Sequence, residues 1–232
     1  MDSKILLENG TNELEVLEFT LGGNSYGINV AKIVVQDDIA DVPREEAQNR
    51  RGMVGAVPLL KIAGAAALVG KSLEEVATIA QGFADNMATL AVAASGATNP
   101  VTGMEIAQVA AGCMEVGVGL HGEAGKAKPM ATAEETVAIM LDALLEDLNV
   151  LAEEKLLVIV SGSGATSLME QLIVYRNCYA YLAEKEIEIV ANHVGGLMTI
   201  QEMAGFEICI ARMNEELVEY WNAPCRTPYF KK

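Results

Sequence analysis

Histidine is scarce in this 232-residue chain, which has only His121 and His193. Aromatic residues are scarce too, at 5 %, with a single tryptophan. An all-β sandwich would draw on more aromatic and β-branched side chains. A hydrophobic share of 51 %, much of it alanine, valine and leucine, therefore predicts helices packed on a sheet. Positive charge is short as well: 16 Lys and Arg stand against 32 Asp and Glu, a net charge of −16. Such a surface repels phosphate backbones and anionic membrane faces, and there is no basic stripe to reverse this, so nucleic-acid and membrane partners are disfavoured. The four cysteines, Cys113, Cys178, Cys209 and Cys225, form no C-x-x-C pair, and none has a histidine at zinc-ligand spacing. They read as reduced, mostly buried thiols, and no metal site is expected. The most apolar window, "VPLLKIAGAAALVG" (57–70), is too short for a membrane span and carries Lys61. The opening "MDSKILLENG" has too short an apolar run for a signal peptide. The expectation is a cytoplasmic protein of one large domain or two small ones.

What is present alternates between strand-like and helix-like segments. "LEVLEFTL" (14–21) and "YGINVAKIVV" (26–35) are β-rich and flank "GGNS", which has turn chemistry, so a hairpin is predicted. Residues 36–52 are polar and read as a loop. Helices are predicted over 57–69 and from the capping box "SLEE" (72–75) to about Asn86. "ATLAVAAS" (88–95) reads as a buried strand. "GATNPVTG" (96–103) is a candidate domain boundary. A second box, "TAEE" (132–135), opens a helix to about Leu148. Strands follow at 155–161, 186–192 and 205–213, with helices at 167–185 and 214–221. The pattern predicts an α/β fold with a largely parallel or mixed sheet flanked by helices and a short N-terminal β-hairpin.

Two glycine-rich motifs invite a nucleotide reading, and neither supports it. "GVGLHG" (117–122) has the G-x-G-x-x-G spacing, but no helix starts before about Thr132. "SGSGATS" (161–167) lies between a strand and a helix but lacks the third glycine and the acidic residue that should follow, so it reads as a tight turn. His193 falls where a strand ends and reads as structural. No nucleophile–base pair of a catalytic triad can be argued from spacing. His121 stands apart. A neutral imidazole nitrogen can add to a small carbonyl, and glycines on both sides let a substrate approach the backbone. Glu123 could accept hydrogen bonds from substrate hydroxyls or orient the ring. On composition alone a solvated histidine in a glycine-rich loop is the plainer reading.

An ordered series of segments changes that weighing: "VVQDDIA" (34–40), "NRRGMVGAVPLLKIAGAAA" (49–67), "SLEEVATIAQGFADNMATLAVA" (72–93), "MEVGVGLHGEAG" (114–125), "GSGATSLMEQLIVYR" (162–176), "MTIQEMAGFEICI" (198–210) and "WNAPCRTPYF" (221–230). Over residues 34–230 the chain resembles the substrate-binding K subunit of dihydroxyacetone kinase, the DhaK family. The resemblance implies that His121 bonds to the substrate ketone as a hemiaminal, with Gly119, Gly122 and Glu123 completing a substrate site. It implies dihydroxyacetone as ligand, a nucleotide-binding L-type subunit as partner, ATP or ADP with Mg on that partner and no cofactor on this chain, and a possible homodimer.

The chain also departs from the family. It lacks the long N-terminal half with a "GGGSGHEP"-type loop and its second histidine, along with a further aspartate, so the general base is unaccounted for. In that place "TNELEVLEFTLGGNSYGINVAKI" (11–33) resembles the opening hairpin of CheW/CheV-type chemotaxis coupling proteins, read here as a strand pair completing the edge of the sheet. The implied organisation is a hairpin segment at 1–35, a remnant of the first α/β domain at 36–95, and a second α/β domain at 96–232. The implied function is ketone capture for a glycerone kinase, impaired by the missing half. The alternatives are a non-catalytic ketone-binding or regulatory module, or a fusion without selected activity.

Overall fold

The structure is a computed structural model that describes residues 16–40 and 42–232. The reading of residues 1–10 and the first two positions of the strand expected at 14–21 lie outside the described residues.

Strands β1 (Val16–Leu21) and β2 (Asn24–Asn29) form an antiparallel hairpin, paired from Val16↔Asn29 to Leu21↔Asn24. Gly22 and Gly23 both have positive φ, +59° and +80°, which suits a two-residue turn matched to the strand twist. The hairpin is a two-stranded sheet of its own. It does not complete the main sheet as expected, because the chain supplies that edge itself with a second hairpin further on.

A 3-10 helix (Arg44–Asn49) precedes α1 (Ala56–Leu68) and α2 (Leu73–Asp85). Then come β3 (Met87–Ala93), the short pair β4 (Ala97–Thr98) and β5 (Glu105–Ile106), and β6 (Cys113–Val116) with β7 (Lys126–Pro129). The remaining elements are α3 (Ala133–Leu148), β8 (Lys155–Gly162), α4 (Leu168–Glu184), β9 (Glu188–Val194), β10 (Gly205–Arg212) and α5 (Glu215–Asn222). Both expected capping boxes form, Ser72 with Glu75 and Thr132 with Glu135, and a third joins Ser167 to Glu170. Each supplies acceptors to helix-start N–H groups that would otherwise go unpaired, worth about 1 kcal/mol.

The main sheet has six strands in the order β7-β6-β3-β10-β8-β9. It is the mixed form of the expected α/β sheet. Only β8 and β9, joined through α4, pair in parallel, and the other four ladders are antiparallel. The sheet draws strands from both sides of position 95.

Alternation along the central strands sorts the core into two layers. On one face Ile208 and Ile210 of β10 pack with Val158 and Val160 against Met140, Leu141 and Leu144 of α3 and Cys178 of α4. On the other, Cys209 and Ala211 pack with Leu157 and Ile159 against Ile62 of α1, Phe83 of α2 and Trp221 of α5. The polar stretch at 36–52 is tied down more firmly than its composition suggests. Arg50, its side chain fully buried, donates to Asp147 of α3 and through Nε to the Val42 carbonyl at 2.9 Å. The backbone at Asp38 lies parallel beside Thr89 of β3.

Candidate functional site

The segment carrying His121 is the connection between β6 and β7, at the edge of the sheet. The backbone of that connection is anchored at several points. The Gly117 N–H donates to Ala91 O at 2.7 Å, Gly119 N–H to Glu123 O at 3.0 Å, and Gly125 N–H to a Glu115 carboxylate oxygen at 2.9 Å. Val118 is buried and Leu120 half-buried against a cluster containing Met53, Ile200 and Met203. His121 is left pointing outward, with 85 % of its side chain exposed. The two apolar cavities described below and beside α3 are lined by other residues.

Two glycines are set by local geometry. A Cβ on Gly119 would fall 2.2 Å from Glu123 Oε2 and 2.5 Å from Arg51 Nη1, so a side chain there would displace both groups. Gly122 has φ +100°, a conformation that favours glycine and turns the chain directly after His121.

Glu123 folds back under the histidine. Its Oε2 accepts the His121 backbone N–H, and its Oε1 lies 3.7 Å from His121 Nδ1, too far for a direct hydrogen bond. Burial alone would raise the Glu123 pKa. The His121 and Glu123 backbone N–H groups and the Arg51 charge outweigh that and hold the carboxyl below its ordinary value. Gly119, His121, Gly122 and Glu123 therefore form one rigid loop, with a carboxylate beside an exposed imidazole.

Behind this loop is a charged cluster that sequence reasoning missed. Arg51 contacts Asp38 through Nε at 2.8 Å and Nη2 at 2.7 Å, reaches the Gly117 carbonyl at 3.3 Å, and lies 3.9 Å from Glu123. Asp38 is buried and also accepts the Ala40 N–H at 2.9 Å. Burial pushes its pKa up, while the Ala40 N–H and the Arg51 guanidinium pull against it. Asp37 faces the other way, accepting the N–H groups of Met53 at 2.7 Å and Gly55 at 2.9 Å and the Thr89 hydroxyl. Among the described residues Glu207, on the central strand β10, accepts the Val54 N–H alone, at 3.2 Å. Burial, reinforced by the charges of Asp37 and Asp38, carries its pKa up to about 8 against that one hydrogen bond. The available signal was the residue type. Acidic side chains inside apolar runs, as in "VVQDDIA" and "GFEICIA", are rarely buried without fixed partners. His193 sits half-buried on β9 with its ring 5.2 Å from Phe230, as a structural residue would.

Among the described residues no group of three His, Cys, Asp or Glu could hold a metal ion, and no helix is long and apolar enough to cross a membrane.

The Dak1 domain profile matches residues 16–229, and the chain belongs to that family. The match takes in both strands of the N-terminal hairpin. The chain is 35 % identical over 94 % of its length to the dihydroxyacetone-binding subunit DhaK of a PTS-dependent dihydroxyacetone kinase from Listeria innocua, covering 66 % of that protein. It is 33 % identical over 98 % of its length to an L-erythrulose kinase from Pectobacterium atrosepticum, covering 40 % of it. Among solved structures it matches the dihydroxyacetone kinase operon co-activator DhaQ with a TM-score of 0.75 at 26 % identity, over 83 % of this chain and 60 % of that one. The chain thus spans two thirds or less of the length of these relatives.

Proposed function

We propose that this chain is the ketone-capturing component of a dihydroxyacetone-type kinase and that His121 is its nucleophile. The observation that carries the reading is the contrast within one loop: the backbone is fixed at Gly117, Gly119 and Gly125, and the imidazole is presented to solvent beside the part-exposed Glu123 carboxylate. A nucleophile held in place avoids much of the entropic penalty of a bimolecular addition.

The Nε2 lone pair of His121 attacks the ketone carbon, and a C–N bond forms. The C=O π pair moves to oxygen, which takes up a proton, and the Nδ1 proton leaves. Glu123, kept ionised 3.7 Å from Nδ1, is the acceptor once rotation of the exposed ring closes that gap. The addition needs a carbonyl, so short-chain hydroxyketones are captured and glycerol is not. The phosphoryl group comes from a nucleotide-bearing L-type subunit that holds ATP or ADP with Mg. The same proposal has the reaction take place in the cytoplasm and leaves the oligomeric state open.

The test uses dihydroxyacetone carrying carbon-13 at the carbonyl. On adding the protein, a fraction of the ketone resonance should move to the region of tetrahedral carbon. His121→Asn should abolish that signal without altering the circular dichroism spectrum. An unchanged signal in His121→Asn overturns the assignment. Adduct formation without dihydroxyacetone phosphate, once a nucleotide-bearing subunit is added, would leave a ketone-binding module instead.

A further inference from the structure

On the opposite side of the sheet from α3 and α4, a cavity of about 500 Å³ opens between α1 and the C-terminal tail. That volume lies within the usual range for small-molecule sites, roughly 300–1,000 Å³. Its walls are apolar, with Leu60, Gly64 and Leu68 of α1 on one side and Leu197 and Phe230 on the other. The tail is held in place by reciprocal backbone hydrogen bonds between Cys225 and Lys232, both 3.1 Å, and by the Tyr229 hydroxyl donating to Gly196 O at 2.6 Å.

One charged side chain lines the cavity. Lys61 lines the cavity, is 8 % exposed, and donates to the Tyr220 carbonyl at 2.7 Å. That bond caps the end of α5 and uses one of the three ammonium protons. Lys232 Nζ sits 4.6 Å over the Trp221 ring. Burial lowers the pKa of each lysine, and the Lys61 charge lowers that of Lys232 further, so the two ammonium groups sense one another. Among the described residues neither lysine has a side-chain carboxylate in ion-pair contact. Trp221, fully buried beneath Lys232, has its indole Nε1–H without an acceptor. Buried charges and donors are ordinarily matched. In a chain of net charge −16, a buried lysine in the cavity wall and a second, exposed lysine on the adjoining tail, neither in side-chain carboxylate contact among the described residues, are a local excess of positive charge.

We infer that this cavity is a binding site for a small amphipathic carboxylate, its charged head at Lys61 and its alkyl body between α1 and the tail. Charge complementarity and the apolar walls together select that class over neutral lipids and over hydrophilic anions. The site is separate from His121 and does not depend on ketone capture.

Octanoate labelled with carbon-13 at its carboxyl carbon is the probe, with 1-octanol as the uncharged counterpart and acetate as the head group alone. The carboxyl resonance and the emission of Trp221, the sole tryptophan, should both change saturably with octanoate. Octanol should bind at least about tenfold more weakly, and acetate should not saturate. Lys61→Met should erase the preference for octanoate over octanol. Lys61 also caps α5, so a second variant guards against misfolding. A Cβ on Gly64 meets nothing within 4 Å, so Gly64→Leu fits α1, raises its helix propensity and fills the cavity. It should lose octanoate binding with its melting temperature retained. Equal binding of octanol and octanoate to the unaltered protein, unchanged binding in Gly64→Leu, or no saturable response in either readout would overturn the inference.

Discussion

Glu207 should make this protein lose stability as the solution becomes more alkaline, and replacing it with glutamine should remove much of that loss. The carboxyl is buried on β10, with one hydrogen bond from the Val54 N–H. Asp37 and Asp38 raise its pKa, and Cys209, also buried, and the Asp37-bound Thr89 lie in the same charged neighbourhood. Its pKa in the folded chain is about 8, against an ordinary 4.5. Between those values the folded state holds the proton and the unfolded state does not. Stability therefore falls as pH rises from about 4.5 and levels off above about 8. Each pH unit in the window costs about 1.36 kcal/mol. From pH 5 to pH 8, allowing for partial titration at both ends, the loss is of the order of 3–4 kcal/mol. Glu207→Gln keeps the shape and the acceptor for Val54 but does not titrate. Urea unfolding followed by Trp221 emission at several pH values should show the two proteins close together near pH 5. The variant should become the more stable by a few kcal/mol near pH 8. Parallel stability profiles would refute the reasoning, because they would mean that Glu207 is solvated or ionised throughout.

Gly119→Ala should push Glu123 and Arg51 apart, costing about 1–3 kcal/mol as an overpacked site; thermal melting and the carbon-13 adduct signal should both fall. Arg51→Met removes the partner of buried Asp38 and the donor to Gly117 O, for a loss of up to about 3–5 kcal/mol in denaturant titration. Asp38→Asn in the same background should recover part of it by removing the stranded charge. Burial pushes the Cys178 thiol up to about 12 and that of Cys209 well above its ordinary value, whereas Cys113 and Cys225 are half-exposed. Iodoacetamide at neutral pH should therefore label Cys113 and Cys225 in the folded protein and reach the other two only in denaturant, as peptide mass spectrometry would read.

Much of the fold was legible because its signals are local. Ser72 with Glu75 and Thr132 with Glu135 announce helix starts from four residues each, and both boxes form. "KLLVIVS" reads as a buried strand because β8 is covered on both faces. Sheet polarity is a long-range property, and the pattern of strands and helices allows either a largely parallel or a mixed sheet. The deciding feature lies at 195–204, where no helix separates β9 from β10. Without a crossover helix, β10 returns antiparallel and inserts between β3 and β8. β7 escaped notice for a different reason. "KAKP" is exposed along its length and has no apolar period, and it is a strand only because β6 offers it a ladder from Cys113↔Pro129 to Val116↔Lys126. The acidic cluster stayed hidden because the donors that hold Asp37 are backbone N–H groups at Met53 and Gly55. Backbone groups carry no residue signature, so an aspartate bound by them looks in sequence like an aspartate in a polar loop.

The same distinction explains the loop that bears His121. Sequence marks the imidazole and its glycines, but the physical question is whether the nucleophile is held or merely attached. The answer depends on Arg51, which reaches the loop from a segment far away in sequence. It joins Asp38, beside β3, to Gly117 O and the Glu123 carboxylate in a single charged chain. The loop is thus referenced to the centre of the sheet although it hangs from the edge. That arrangement suits an addition to a carbonyl, which needs a fixed nucleophile and a nearby proton acceptor. It does not by itself suit phosphoryl transfer, in which water must be kept from the donor. An imidazole that is 85 % exposed offers no such shelter. On this geometry capture and transfer are separate tasks. Under the proposed reading, the surface that covers the bound ketone has to come from groups other than this loop.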